Sequence, residues 1–392
     1  MDIIFIGYAV NDRIAEKLTG ISIAGNKMQL NVLKYMELAF ENVFSTTIYP
    51  VSSFPRDHKL YYPKNKDVVV GNIQSIRVPF INITGIKQIC QIINNYLEIK
   101  KLAKKSPDAL LFTFNMYPQV GLPAVWIKKR YGNKIACLLA DLPIDDNYNR
   151  SGIKKKIWDH YFHKTESFIK QIDKAIVLNK HAWELYCPGS ECLVMDGGMD
   201  CNEDSSSTPD SEGYFPERKN LLYGGSLNEY SGIRELVEAM SYVDDESVEL
   251  DIYGNGNLKD YIISHQNDRI HYKGVVKNSE MLELQKKAWV LVNPRPIDDR
   301  IAMVTFPSKI FEYLNSGTPV ITTKLNGFSE EYLDKCFFSE TNDPVKLAEC
   351  INRVASLDQD DLREIAVKAR NFIREKKNWK TQTQRIVDFL KQ

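Results

Sequence analysis

The sequence predicts an α/β protein built from two doubly wound, Rossmann-like domains facing a cleft. Three observations carry that expectation. Short apolar strands alternate with amphipathic helices through both halves of the 392-residue chain. A stretch rich in Ser, Asp, Pro and Gly, CNEDSSSTPDSEGYFPERKN (201–220), interrupts the alternation near the middle. The length also suffices for two cores of ordinary size.

The chain opens with MDIIFIGYAV, which has no basic region before it and meets Asn11-Asp12-Arg13 too soon for a signal peptide. Ile3–Gly7 therefore reads as a first buried strand. Further strands are expected at Thr46–Tyr49, Ser75–Val78, Ala109–Phe114, Ile135–Ala140 and Lys174–Leu178, with helices at Met28–Phe40, Ile86–Lys105 and Ile153–Gln171. Beyond the linker, strands are expected at Asn220–Gly224, Glu249–Tyr253, Ile270–Lys273, Val290–Asn293 and Val320–Thr323. Helices at Ile233–Met240 and Ser279–Ala288 fit between them. Such alternation implies parallel sheets covered by helices on both faces.

Composition narrows the class. At 43% hydrophobic and 26% charged residues the chain matches a soluble globular protein, and no apolar run approaches the length that crosses a bilayer. Seven cysteines without Cys-x-x-Cys pairing exclude a disulfide scaffold and a zinc ribbon, and point to the cytosol. Net charge is zero, but residues 1–200 hold 26 Lys/Arg against 19 Asp/Glu, and the remainder 25 against 32. Runs such as Lys100-Lys101, Lys104-Lys105 and Lys154-Lys155-Lys156 concentrate the positive charge. Solvated helix faces account for such runs, and so does a basic surface that meets anionic lipid at the inner face of a membrane. No nucleic-acid-binding motif is present.

Four motifs follow the linker. NLLYGGSLNEYSGIRELVEAM runs a strand into Gly224-Gly225-Ser226, where glycines let the backbone approach a phosphate and consecutive N–H groups form an anion nest; a tight turn needs the same residues. LDIYGNGNLKDYI places Gly254 and Gly256 after the next strand, without the third glycine of a dinucleotide fingerprint. LVNPRPIDDR places Arg295 at a third strand end. FPSKIFEYLNSGTPVI (306–321) reads as a helix with Pro307 at its first position and Gly317 just past its end. Ser308, Lys309 and Glu312 occupy its opening, where the N-terminal dipole favours an anion. Lys309 and Glu312 also stand at salt-bridge spacing. A carboxylate one turn in suits the vicinal hydroxyls of a ribose, since two oxygens accept two donors side by side.

In this order the motifs resemble the donor domain of the GT-B glycosyltransferases of family 4, the group 1 retaining enzymes, most strongly over about 220–323. The resemblance implies a nucleotide-diphosphate-sugar donor held by Gly225, Ser226, Gly254, Gly256, Arg295, Ser308, Lys309 and Glu312. GISIAGNKMQ (20–29) resembles the family's loop near the donor phosphates, adding Gly25 and Asn26. Asp141 in LLADLPIDD (138–146) stands where many members carry His-Asp after a strand, which implies a role in orienting or deprotonating the acceptor. VMDGGMD (194–200) resembles the segment before the family's linker. The tail from about Trp379 to residue 392 resembles the last helix, which packs back on the first domain. The implied domains are 1–205 plus that helix for the acceptor, and 206–378 for the donor.

The chain departs from the family pattern in three places. Val304 stands where the first of a pair of glutamates is usual, Ser226 and Ser231 replace a usual Arg and Lys, and the histidine is absent. Lys309 and Arg295 are then the cations for the diphosphate. No metal and no cofactor are expected, since helix, lysine and arginine stabilise the leaving group. The function implied is a retaining transfer to a glycan or lipid-linked acceptor in surface polysaccharide assembly. A nucleotide-sugar epimerase on the same fold is one alternative. A non-catalytic sugar-nucleotide-binding protein, with Val304 marking a lost site, is the other.

Overall fold

The computed structural model describes residues 1–144, 152–200, 216, 218–297 and 300–392. They form two compact units, Met1–Gly197 with Trp379–Gln392, and Gly198–Asn378. Residues 201–215 and 217 of the expected linker lie outside the described residues.

The N-terminal unit runs β1 (Ile3–Gly7), α1 (Asp12–Ala15), α2 (Ile23–Ala39), β2 (Val43–Thr47), β3 (Tyr61–Tyr62), β4 (Asn65–Val70), β5 (Ile73–Arg77), β6 (Phe80–Ile81), α3 (Ile86–Lys105), β7 (Leu110–Phe114), α4 (Pro118–Tyr131), β8 (Ile135–Leu139), α5 (Gly152–Ile169), β9 (Lys174–Val177), α6 (Lys180–Tyr186) and β10 (Glu191–Val194). Its main sheet has the order β10-β9-β8-β7-β1-β2-β5-β4. All pairs are parallel except the edge pair β4–β5. Strands β1, β7 and β8 are buried along their whole length, as central strands of a sheet covered on both faces must be.

The C-terminal unit runs β11 (Asn220–Gly224), α7 (Ile233–Ala239), β12 (Glu249–Tyr253), α8 (Lys259–Ser264), β13 (Ile270–Gly274), α9 (Asn278–Lys287), β14 (Val290–Asn293), α10 (Arg300–Val304), α11 (Lys309–Ser316), β15 (Val320–Thr323), β16 (Phe337–Ser339), α12 (Pro344–Ala355) and α13 (Gln359–Lys376). Its sheet, β13-β12-β11-β14-β15-β16, is parallel throughout. The order reverses beside β11, so the ends of β11 and β14 form the switch point where such sheets bind ligands.

Helix α14 (Trp379–Lys391) belongs to the N-terminal unit. Trp379, Ile386, Val387, Phe389 and Leu390 enter the core that contains Phe5, Leu33 and Met36. The Lys174 ammonium donates to the Phe389 carbonyl, closing the helix onto β9. Among the described residues no helix is long and apolar enough to cross a membrane.

Two local expectations need correction. Helix α2 begins at Ile23 rather than Met28, because Ser22 caps it by accepting from the Gly25 N–H. Gly25 and Asn26 thus lie in a first helical turn and not in a loop; neither favours a helix, and the cap with tertiary bonds overrides that. Helix α11 begins at Lys309, with Ser308 as its N-cap, so Pro307 precedes the cap instead of occupying the first turn. Gly317 ends the helix in the left-handed region at φ 81°, as its position suggested.

Candidate active site

In the C-terminal unit the ends of β11 and β12 interlock through backbone. The Gly225 N–H donates to the Tyr253 carbonyl and the Leu227 N–H to the Asn255 carbonyl, so the loop after β11 lies along the loop after β12. Gly254 has φ +141°, and a Cβ there would stand 1.7 Å from the Gly225 oxygen. A Cβ on Gly256 would stand 2.1 Å from the Leu227 oxygen. These two glycines are required by loop-against-loop contact, which answers the question their spacing raised.

The opening of α11 is fastened to the same place. The Lys309 ammonium donates to the Gly224 carbonyl at 2.5 Å and lies 5.7 Å from the centroid of the Tyr223 ring. The Tyr313 hydroxyl, one turn on and 1% exposed, meets the Gly224 N–H at 3.3 Å. The Tyr223 hydroxyl donates to the Ser226 carbonyl at 2.8 Å. Burial lowers the Lys309 ammonium from its ordinary value, while the neighbouring Glu312 charge partly opposes that. Burial pushes the Tyr223 phenol up to about 12, with the Ser231 hydroxyl and then the Arg295 charge acting against it.

Lys309 and Glu312 form no ion pair: the lysine is turned to Gly224. Glu312 makes no hydrogen bond or ion pair among the described residues, so its carboxylate stands available near a partly buried cation. Ser308 is exposed and its hydroxyl makes no capping bond. Sequence reading missed Tyr223 and Tyr313, although both flank the motifs; a tyrosine on an apolar stripe gives no sign that its hydroxyl reaches a neighbouring strand end. Val304 is 4% exposed and sits among the apolar side chains, where a carboxylate would lose its hydration.

The N-terminal unit holds a pocket of ≈ 270 Å³ whose walls include Tyr8, Gly25, Asn115, Tyr117, Asp141 and Tyr161. Asn115, at φ 59°, accepts from the Ala140 and Asp141 N–H groups at 2.8 and 2.9 Å and donates to the Asp141 carboxylate at 3.1 Å. One side chain therefore fixes both the backbone and the carboxyl after β8. Asp141 is exposed as a residue and shares the pocket wall with Tyr8, Tyr117 and Tyr161. Loss of hydration raises its pKa, and the Asn115 bond offsets part of the rise. The Tyr117 and Tyr161 rings stack with centroids 6.0 Å apart.

Asn26 is 3% exposed, and both ends of its amide are spent on Val10: the oxygen accepts from the Val10 N–H and the nitrogen donates to its carbonyl. The Asn26 side chain thus clamps the loop after β1. Gln29, three residues on, does the same by accepting from the Tyr8 N–H. Among the described residues no cluster of His, Cys, Asp and Glu could hold a metal ion.

Residues 218–356 match the family described as glycosyl transferases group 1. That stretch is similar to a group 1 glycosyltransferase domain. It contains all the strand-end loops and the α11 opening described above. The whole chain has the GT-B fold of known glycosyltransferases. It is similar to the sucrose-phosphate synthase of Thermosynechococcus elongatus at a TM-score of 0.66 and 14% identity, over 100% of this chain and 98% of that one. It is also similar to HepE of Anabaena, solved in complex with UDP, at 0.64 and 13%, over 100% of both chains. A glycosyltransferase from Rickettsia africae gives 0.63 and 16%, over 100% and 97%. No curated relative matches the sequence. The chain therefore shares this fold at identities too low to carry a substrate across.

Proposed function

We propose that the glycosyltransferase moves a sugar, with retention of anomeric configuration, from a nucleotide-diphosphate sugar to a glycan or lipid-linked acceptor in surface polysaccharide assembly. The observation that carries the donor site is the Lys309–Gly224 bond with the Glu312 carboxylate left available beside it. Ser308, Lys309 and Arg295 receive the diphosphate, and Gly225 leaves room for it on a donor loop that Gly254 and Gly256 allow to pack closely. Glu312 accepts the two ribose hydroxyls. The cations and the α11 N-terminus stabilise the leaving diphosphate without a metal or cofactor. Asp141 orients or deprotonates the acceptor hydroxyl in the tyrosine-walled pocket. The enzyme works in the cytoplasm, in peripheral contact with an anionic membrane.

HepE binds UDP and UDP-glucose, so uridine nucleotides come first in the test. Thermal shifts are measured with nucleotide diphosphates and their sugars, wild type beside Glu312→Ala. Selective stabilisation by one nucleotide, lost in the variant, is expected. No response to any nucleotide overturns the donor site. Conversion of the donor without an acceptor favours the epimerase, and binding without turnover favours a non-catalytic protein.

A further inference from the structure

Helix α3 wears its polarity reversed. Its inward face is polar up to Glu98, with Ile99 and Ala103 the only apolar side chains fully buried on it. Lys87 donates to the Val51 carbonyl, Asn95 bonds the Thr46 hydroxyl and the Gln119 carbonyl, and Glu98 is held by Lys64 and Lys101. Its outward face carries Ile86, Ile89, Ile93 and Leu97, which are 46%, 59%, 49% and 42% exposed. At 3.6 residues per turn these four fall within about 80° of one another, and Lys100 and Lys104 continue the same face over the last turn. On the flank, Tyr96 meets Trp126 of α4 edge-on at 5.4 Å, and Trp126 is 39% exposed.

A soluble helix normally turns such a stripe inward. Leaving four aliphatic side chains about half exposed forgoes roughly half of the 1.5–3 kcal/mol that full burial of each is worth. Aliphatic residues along one face, aromatic residues at the flank and lysines at one end are the composition of a helix that lies in a lipid interface.

We propose that this face of the N-terminal unit docks on an anionic lipid bilayer. Ile86, Ile89, Ile93 and Leu97 enter the boundary of the acyl chains, and Lys100 and Lys104 meet the headgroup phosphates. This names the surface for the membrane contact in the proposed function and rests on that reading. Charge complementarity selects lipid over a second copy of the chain. The one acidic residue of α3, Glu98, is turned inward and paired with Lys64 and Lys101, so the same face of another copy offers nothing to pair the lysines, whereas anionic headgroups do.

The test is flotation of the full-length protein with vesicles of phosphatidylcholine alone and of phosphatidylcholine mixed with phosphatidylglycerol. Wild type is expected to float with the mixed vesicles and to bind less as salt rises. The Ile89→Ser/Ile93→Ser variant should lose about tenfold or more in partitioning, with Tm and nucleotide-induced stabilisation unchanged. Lys100→Glu/Lys104→Glu should remove the preference for the anionic lipid. Failure of wild type to bind either vesicle, or equal binding by the serine variant, overturns the proposal. So does a wild-type dimer in sedimentation that the serine variant dissociates, since the occupant is then a second copy. Vesicle binding without any nucleotide response leaves this surface standing and removes the transferase reading instead.

Discussion

The Lys309 ammonium rests on the Gly224 carbonyl oxygen, tying the first turn of α11 to the end of β11. The bond crosses 85 residues of sequence and takes the lysine away from Glu312, its neighbour at salt-bridge spacing. The two side chains should therefore respond differently to removal. Glu312→Ala removes a carboxylate that supports nothing in the fold, so stability should stay within about 0.5 kcal/mol of wild type. Donor use should fall roughly a hundredfold, because two charge-assisted hydrogen bonds are worth on the order of 3 kcal/mol. Lys309→Met should lower both donor affinity and Tm, since it also unfastens the loop. Calorimetric titration with a nucleotide diphosphate beside thermal melts separates the two patterns; equal losses of stability in both variants would count against the assignment.

The glycines of the donor loops should divide in the same way. A Cβ on Gly225 would meet the Lys309 ammonium at 2.0 Å, the far end of a flexible chain that can move aside. A Cβ on Gly254 would meet the Gly225 oxygen at 1.7 Å, which is backbone, and would sit at φ +141°. Gly225→Ala should fold, displace Lys309 and weaken donor binding. Gly254→Ala should cost about 1–3 kcal/mol or more of stability. Denaturant midpoints for the pair, with nucleotide binding measured on whichever variant folds, check the contrast.

Much of this arrangement was legible in the sequence, and what was not has a physical reason. The α11 segment announced its apolar face, its glycine stop and the following strand β15, because periodicity and turn chemistry are local. The direction in which Lys309 points was not local. It depends on Gly224, and an i,i+3 carboxylate offered an equally good partner on spacing alone. The bonds between Asn26 and Val10, 16 residues apart, were likewise not local. Asn115, which holds Asp141, gave no sign: an asparagine at φ 59° looks like any turn residue until β7 and β8 lie side by side. The reversed face of α3 was visible as an amphipathic pattern, but only its neighbours decide which side is buried.

The amino ends of β11 and β12 carry a charge cluster remote along the strands from the donor loops. Arg218 donates to Glu249 and, at 2.9 Å, to Asp251. The Arg218 guanidinium, and secondarily His271, holds the Glu249 carboxyl at about 2 against an ordinary 4.5. A depressed carboxyl contributes stability that is present above its unfolded value and lost as pH falls through its folded one. The C-terminal unit should therefore lose stability between about pH 4.5 and 2, which covers the drop from the unfolded to the folded value. Arg218→Leu should be less stable at neutral pH and show a shallower loss over that window. Circular-dichroism melts across the pH range test this, and parallel curves for the two proteins would remove the cluster from the account.

Asp141 titrates in the opposite sense. Burial raises its carboxyl above the ordinary 3.8, and the Asn115 amide pulls it part of the way back. The folded protein thus holds this proton more tightly than the unfolded chain. The stability it contributes is fully present below 3.8 and is lost as pH rises through the folded pKa. Asp141→Asn, which keeps a hydrogen-bonding partner for Asn115, should accordingly be neutral or slightly stabilising at pH 7. If the ionised carboxylate orients or deprotonates the acceptor, kcat/KM should fall toward acid through a pKa above 3.8, and the variant should lose both that limb and about a hundredfold or more of the rate. Donor binding should be untouched, since the donor loops belong to the other unit. A pH–rate profile of wild type and variant decides it: an unchanged profile with a rate within a few-fold of wild type would leave Asp141 as a structural carboxyl in the tyrosine-walled pocket.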